Sequence, residues 1–146
     1  MTRAFLFISL FFILVTSCNT IKYASDKLPE KQLVFGEGGG FSGAVQEFII
    51  LENGQLFSRT SFTEAPTEMK SIGKAKAKKL FKKADLLNIA KRDFIEPGDI
   101  YFFVQIQNDA KSNHRVVWGD ANHKVPEDIE AFYQELKKLP KPLKKK

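Results

Sequence analysis

Residues 100–107 read Ile-Tyr-Phe-Phe-Val-Gln-Ile-Gln, and this segment decides the fold class. Successive side chains of an extended chain point to opposite sides. The even-numbered residues, all apolar, therefore share one face: Ile100, Phe102, Val104 and Ile106. This two-residue period predicts a strand whose apolar face covers a core. The other face carries Tyr101 and Phe103 between glutamines, and we expect it to be the exposed back of a sheet.

Four other segments have the length and composition of strands. They are residues 31–36, 44–51, 55–62 and 114–118. Glu52-Asn53-Gly54 joins the second of these segments to the third. Asn-Gly is typical of a type I′ turn, because both residues accept a positive φ. The sequence therefore predicts a hairpin at this point.

Two segments have helical spacing. The first runs from Ser71, the expected N-cap, to about Ala84. Its apolar stripe follows the i, i+3, i+4, i+7 pattern and consists of Ala77, Leu80, Phe81 and Ala84. The second begins at Pro126 and ends before Pro140, with acidic residues in its first turn and lysines in its last. Its buried stripe is expected to be Ile129, Phe132, Tyr133 and Leu136.

The predicted order of elements is β-β-β-α-β-β-α. Neighbouring strands joined by short turns pair in antiparallel fashion, and amphipathic helices cover one face of such a sheet. We therefore predict a two-layer α+β domain over residues 31–140, with about five antiparallel strands and both helices on one face. Residues 141–146 form a basic tail.

The start of the chain has the composition of a removable leader. Met1-Thr2-Arg3 is positively charged, and residues 4–15 are apolar except for Ser9. A cationic start followed by a short apolar stretch is typical of a secretory signal peptide. A membrane-spanning helix needs about 20 apolar residues, and this stretch is shorter.

Val15-Thr16-Ser17-Cys18 then resembles the lipobox of bacterial lipoproteins. The resemblance implies cleavage between Ser17 and Cys18, a diacylglycerol thioether on Cys18 and acylation of the new N-terminus. Residues 1–17 would be removed, and residues 18–30 would be the lipidated cysteine and a polar tether. We expect a lipid-anchored protein of the bacterial cell envelope that faces the periplasm. An ordinary signal peptide and an uncleaved interfacial anchor are the alternatives.

Cysteine and charge exclude several classes of site. Cys18 is the only cysteine, so no disulfide within the chain and no cysteine-built metal site can form. The net charge of +6 comes mainly from lysine, since the chain has 19 lysines and four arginines. Planar, bidentate recognition of nucleic acid depends on arginine, and we expect no nucleic-acid partner.

The glycine-rich segment from Gly38 to Val45 matches the pattern G-x-G-x-x-G-x-V. A dinucleotide site requires a helix after the glycines, whereas residues 44–51 form a predicted strand. A kinase site also requires catalytic and metal-binding loops that the chain lacks. Two interpretations remain, namely a mobile loop between strands and a protein-contact loop with Phe41 as its apolar tip.

The sequence does not contain a catalytic constellation. His114 and His123 are nine positions apart, without the spacing of a zinc hydrolase. A pair of His123 with Asp120 still lacks a nucleophile, and Ser42 is flanked by glycine without forming a G-x-S-x-G elbow. We predict a protein that is not an enzyme, with no catalytic residue, metal or cofactor.

Six lysines crowd the first predicted helix, at positions 74, 76, 78, 79, 82 and 83. They are a solvated helix face in the simplest interpretation. In a second interpretation, Lys78, Lys79, Lys82 and Lys83 face anionic lipid head groups beside the anchor. In a third, they meet an acidic protein partner.

The domain also resembles emfourin-like inhibitors of protealysin, a thermolysin-like metalloprotease, over roughly residues 33–139. The shared residues are Gly39, Gly40, Phe41, Gly43, Leu80, Phe81, Pro97, Asp99, Tyr101, Ile129, Phe132 and Leu136. The resemblance implies that the domain binds, and inhibits, a protease. The lipobox and the hairpin at Glu52-Asn53-Gly54 depart from the pattern of a cytosolic inhibitor.

These patterns together indicate a non-catalytic envelope lipoprotein that binds a protein partner, with a protease as the candidate. The residues expected to contact that partner are Gly39, Gly40, Phe41, Gly43, Tyr101 and Phe103. The alternative function is a structural or membrane-surface lipoprotein that uses its lysine-rich helix.

Overall fold

A computed structural model describes residues 21–60, 65–109 and 113–142, so the predicted leader and the lipobox-like segment lie outside the described residues. The strands are β1 Gln32–Gly39, β2 Val45–Ile50, β3 Leu56–Thr60, β4 Thr67–Glu68, β5 Ile95–Glu96, β6 Ile100–Gln107 and β7 Asn113–Trp118. The helices are α1 Lys74–Leu86 and α2 Glu127–Lys137. In the described ranges the strands form one sheet, in the order β4-β3-β2-β1-β6-β7-β5.

The α+β prediction is confirmed, but the sheet is larger than the five strands predicted. The additional strands, β4 and β5, have two residues each, too few to show a hydrophobic period. The sheet is also mixed, because β5 runs parallel to β7 while the other neighbours are antiparallel. Two backbone bonds extend the parallel pairing, from Val117 N–H to Phe94 O and from Asp120 N–H to Glu96 O.

The first helix begins at Lys74, two residues later than predicted, because Gly73 instead of Ser71 takes the N-cap position, with a φ of 83°. The hydroxyl of Ser71 donates instead to Gly54 O at 2.7 Å, which fastens the start of α1 to the turn between β2 and β3. The predicted buried stripe is confirmed. Helix α2 begins as predicted, directly after Pro126.

The hairpin between β2 and β3 forms, but its turn is not type I′. The N–H of Gly54 donates to Leu51 O, and the N–H of Leu51 donates to Gln55 O. Gly54 has a φ of 92°, whereas Asn53 does not adopt a positive φ. This is the pattern of a three-residue loop with glycine in the left-handed position. The Asn53 carboxamide oxygen accepts from Gln55 N–H at 2.9 Å, which favours this turn.

Both helices pack on one face of the sheet, here called the front face. Its core joins strand residues such as Leu33, Phe35 and Val104 to residues of α1 and α2. The helix residues of this core are Ala77, Leu80, Phe81, Ala84, Ile129, Phe132, Tyr133 and Leu136. The predicted stripes of both helices are therefore buried together.

The other face, here called the back face, is not the exposed surface that we predicted. A second apolar cluster lies on it, formed by Val34, Val45, Ile49, Leu51, Phe57, Phe103 and Val117. Phe103 is 0% exposed. Tyr23 and Leu28, which belong to the predicted tether of residues 18–30, pack against this cluster. The sequence did not predict this contact, because Tyr23 and Leu28 stand in a polar segment without a hydrophobic period.

The basic tail is described only in part. Lys141 O accepts a bond from Lys70 N–H at 3.1 Å, which ties the chain after α2 to the segment before α1. Residues 143–146 lie outside the described residues.

Candidate functional site

Residues 40–44 connect β1 to β2 and are called the Phe41 loop. Gly43 N–H donates to Gly40 O at 3.1 Å and closes a turn with Phe41 and Ser42 at its tip. The side chain of Phe41 has a relative exposure of 112%, which makes it the most exposed large apolar residue among those described. The tip of this hairpin therefore presents an aromatic ring to the surroundings.

The glycines at the base of the Phe41 loop are required by a close approach of two backbones. A β-carbon on Gly39 would lie 2.1 Å from Asp99 O, and Gly39 has a φ of 95°. Gly40 N–H donates to the same oxygen at 2.6 Å. Residues other than glycine rarely adopt such a φ, so the sequence places glycine where the loop meets the start of β6.

A second exposed apolar residue lies beside the loop. Ile100 is the register partner of Gly39 and is 59% exposed. Gly39, Gly40 and Ala44 line the same shallow depression as Ile100. Phe41 and Ile100 thus give this end of the sheet, called the Phe41 end, an apolar character.

The structure brings together only part of the predicted partner-binding set. Gly39, Gly40, Phe41 and Gly43 all belong to the loop or its base. Tyr101 is half-buried on the back face, with its hydroxyl over Gly38. The prediction that Phe103 lies on an exposed surface is wrong. Gly36, which has no side chain, leaves room for the Phe103 ring, and the guanidinium of Arg115 covers that ring at 4.1 Å.

A buried carboxylate lies next to Phe103, and no sequence pattern predicted it. Glu47 is 1% exposed on the back face. Arg59 Nε lies 2.6 Å from Glu47 Oε2, and Arg115 Nη2 lies 3.3 Å from Glu47 Oε1. Arg115 Nε also donates to Gln105 Oε1 at 2.7 Å. These contacts join β3, β2, β6 and β7 and act as a structural network across the sheet.

The lysines of α1 do not all have the same surroundings. Lys83 Nζ lies 2.6 Å from Glu135 Oε2 of α2. Lys78, Lys79 and Lys82 are exposed and make no ion pair with any residue in the described ranges. Lys78 instead lines a depression together with Lys74, Lys31 and Ile21. Lys31 and Lys74 were not in the predicted anionic-surface set. Lys74 is one helical turn from Lys78, whereas only tertiary structure brings Lys31 beside it.

One group of side chains has the composition of a metal site. Glu96, Asp120 and His123 each offer a ligand atom, and these atoms lie within 4.8 Å of one another. His123 Nδ1 is 3.4 Å from Asp120 Oδ2 and 3.6 Å from Glu96 Oε2. A bond from Asn122 N–H lowers the pKa of Asp120. His123 is exposed and the two carboxylates are partly exposed, which is common for acidic groups that bind no ion.

The remaining candidates for catalysis lie in different elements. His114 is in β7, His123 follows that strand in a loop, and Ser42 is in the Phe41 loop. The hydroxyl of Ser42 accepts a bond from Ala44 N–H at 3.3 Å. No hydrogen bond joins a serine hydroxyl to either histidine within the described part of the chain.

Helix α2 contacts β1 through an ion pair and a neighbouring buried tyrosine. Lys137 Nζ lies 3.2 Å from Glu37 Oε2, and the Tyr133 hydroxyl donates to the same carboxylate. Burial, followed by the negative charge of Glu37, raises the pKa of Tyr133 above its ordinary value of 10. A neutral tyrosine thus fastens α2 to the sheet throughout the physiological pH range.

No protein-family model and no curated protein matches this chain. Neither described helix is long and apolar enough to cross a bilayer.

Proposed function

We propose that this protein is an exported lipoprotein, held at the bacterial envelope through Cys18, that binds another envelope protein with its Phe41 loop. The domain acts as a binding module and not as an enzyme. A protease is the partner that we propose to test first, and inhibition is the proposed consequence of binding.

The exposure of Phe41 carries this proposal. Aromatic residues are enriched at the centres of protein interfaces, where they contribute much of the binding energy. A ring at full exposure has no contact within the domain to stabilise, so its placement favours a role outside the domain. The adjacent Ile100 extends the apolar area.

The rigid base of the loop supports the same role. The Gly40 N–H bond to Asp99 O and the turn bond from Gly43 N–H hold the loop in place before any partner binds. An ordered loop loses less conformational entropy on binding than a disordered one. Cys18 supports the proposed location, since it directly follows a leader-like segment.

The test is photo-crosslinking in the native host, with a photoreactive phenylalanine analogue at position 41. We expect one discrete product, which excess unlabelled protein abolishes. The same analogue at Leu86 is the matched control, because Leu86 is also an exposed apolar residue, at 72%, but lies on α1. Equal products from both positions, or none from position 41, would contradict the proposal.

A binding measurement then tests the contribution of the ring. Replacing an anchor residue weakens an interface by about 2 kcal/mol or more, so Phe41→Ser should weaken affinity for the captured partner about 30-fold. Leu86→Ser should change it less than about threefold.

A thermolysin-like protease should lose activity in proportion to added protein. Full activity at a large molar excess would eliminate inhibition but leave binding intact.

A further inference from the structure

The described chain enters the fold at the end of the sheet opposite the Phe41 loop. Asn53 Nδ2 donates to Ile21 O at 2.7 Å. Gln55 makes two bonds to Tyr23, accepting from its N–H at 2.7 Å and donating to its carbonyl at 3.0 Å. Ile21 and Tyr23 are therefore fixed beside the turn between β2 and β3, called the Asn53 end.

Helix α1 begins at this same end. Ile72 N–H donates to Gly54 O at 3.0 Å, one residue before the N-cap of the helix. Lys74 and Lys78, one turn apart on α1, line a depression together with Ile21 and Asn53. Lys31, just before β1, completes this group and lies 2.8 Å from Glu52.

Several of these charges are not neutralised by neighbours. Lys74 and Lys78 make no ion pair with a residue that the structure describes, and neither does Lys82, the next residue in the same i, i+4 row. Lys74 also stands in the first turn of α1, where the helix dipole disfavours a cation. Helix α2 instead has Glu127 and Asp128 there. The helix dipole therefore does not explain the presence of Lys74.

The length of chain between Cys18 and Ile21 restricts where the anchor can be. Three residues span at most about 11 Å when fully extended. A lipid on Cys18 would therefore keep the Asn53 end close to the bilayer surface, where the attraction of lysine to anionic head groups acts over about 8 Å.

We propose that a lysine surface, consisting of Lys31, Lys74, Lys78 and Lys82, rests on anionic phospholipid head groups. This inference rests on the proposed anchoring through Cys18. Strand β1 has eight residues and is about 26 Å long at about 3.3 Å per residue, and it separates Lys31 from the Phe41 loop. Contact at the Asn53 end therefore directs Phe41 away from the membrane, towards a partner.

The first experiment measures acetylation of lysines in the acylated protein, reconstituted in phosphatidylcholine vesicles with or without phosphatidylglycerol. Lys74 and Lys78 should react about fivefold more slowly on the anionic vesicles, a factor that corresponds to about 1 kcal/mol per lysine near the surface. Lys124 is the internal control, because it is exposed and lies beside His123 near the Phe41 end. Equal rates on both vesicles would overturn the proposal.

The second experiment measures orientation through Trp118, the only tryptophan, which ends β7 near the Phe41 end. Energy transfer from Trp118 to a dansyl-labelled head group should be weak on anionic vesicles. It should rise in the Lys74→Gln/Lys78→Gln variant, because the domain loses its fixed orientation. Lys124→Gln is the matched control and should leave the transfer unchanged. An unchanged signal in the double variant would contradict the proposal.

The two proposals fail separately. Intact mass without acyl groups would reject anchoring, and the unlipidated protein would then be added to the same vesicles. Slower acetylation of Lys74 and Lys78 on anionic vesicles alone would still support the lysine surface. Protection by an added acidic polypeptide, with none by anionic vesicles, would assign the surface to a protein partner and overturn the inference.

Discussion

Glu47 shows how single residues determine the back face of the sheet. Its carboxylate is buried between Arg59 and Arg115, and its register partner in β1 is Gly36. Because Gly36 lacks a side chain, Phe103 occupies the space above it and Arg115 stacks on the ring. A β-carbon on Gly36 would lie 2.1 Å from Gln46 O, so no other residue fits this position without backbone movement.

The first prediction concerns this network. Glu47→Gln removes the buried negative charge that both arginines face, so we expect the free energy of unfolding to fall by about 3 kcal/mol. Urea denaturation measures the change. Glu52→Gln is the control, because the pair of Glu52 with Lys31 is exposed and should contribute less than about 1 kcal/mol. Equal losses in the two variants would contradict this account of Glu47.

At the level of elements, the sequence predicted the long strands and both helices well. The bounds of the segment 100–107 match β6 residue for residue, and the segment 44–51 contains β2. Burial along β6 does not alternate as predicted, since Phe103 is buried and Ile100 is exposed. The start of α1 was misplaced because Ser71 bonds to Gly54, a contact between elements that local sequence does not reveal. Strands β4 and β5 exist only through pairing with longer neighbours, so their own residues carry no signal.

The two helices differ at their first turns, and this difference gives the second prediction. Lys74→Glu places a negative charge at the positive end of the α1 dipole, so we expect the free energy of unfolding to rise by about 0.5 kcal/mol. The same variant should bind anionic vesicles less well. Thermal unfolding and vesicle sedimentation measure the two effects.

Lys82→Glu is the control for this prediction, since it lies beyond the first turn of the same helix. It should weaken vesicle binding without raising stability. If Lys74→Glu lowered stability and left vesicle binding unchanged, Lys74 would have a structural role. It would then not belong to the lysine surface that contacts the membrane.

At the scale of the whole molecule, the domain has two chemically different ends. The Asn53 end holds the entry of the chain and the lysine surface, and the Phe41 end holds exposed apolar residues. The sequence identified the Phe41 loop because glycines around an aromatic residue indicate a turn. It could not identify Lys31 as a neighbour of Lys78, since 47 positions separate them in the chain. It also misjudged Phe103, whose covering by Arg115 depends on the pairing of β6 with β7.

The proposed attachment at Cys18 is what would direct one end to the bilayer and the other to a partner, so the most direct test is the intact mass of the protein purified from its native host. We predict a chain that begins at Cys18 and carries a diacylglycerol thioether and an N-terminal acyl group. A chain that still begins with the leader, and has no acyl group, would contradict both the location and the orientation proposed for this protein.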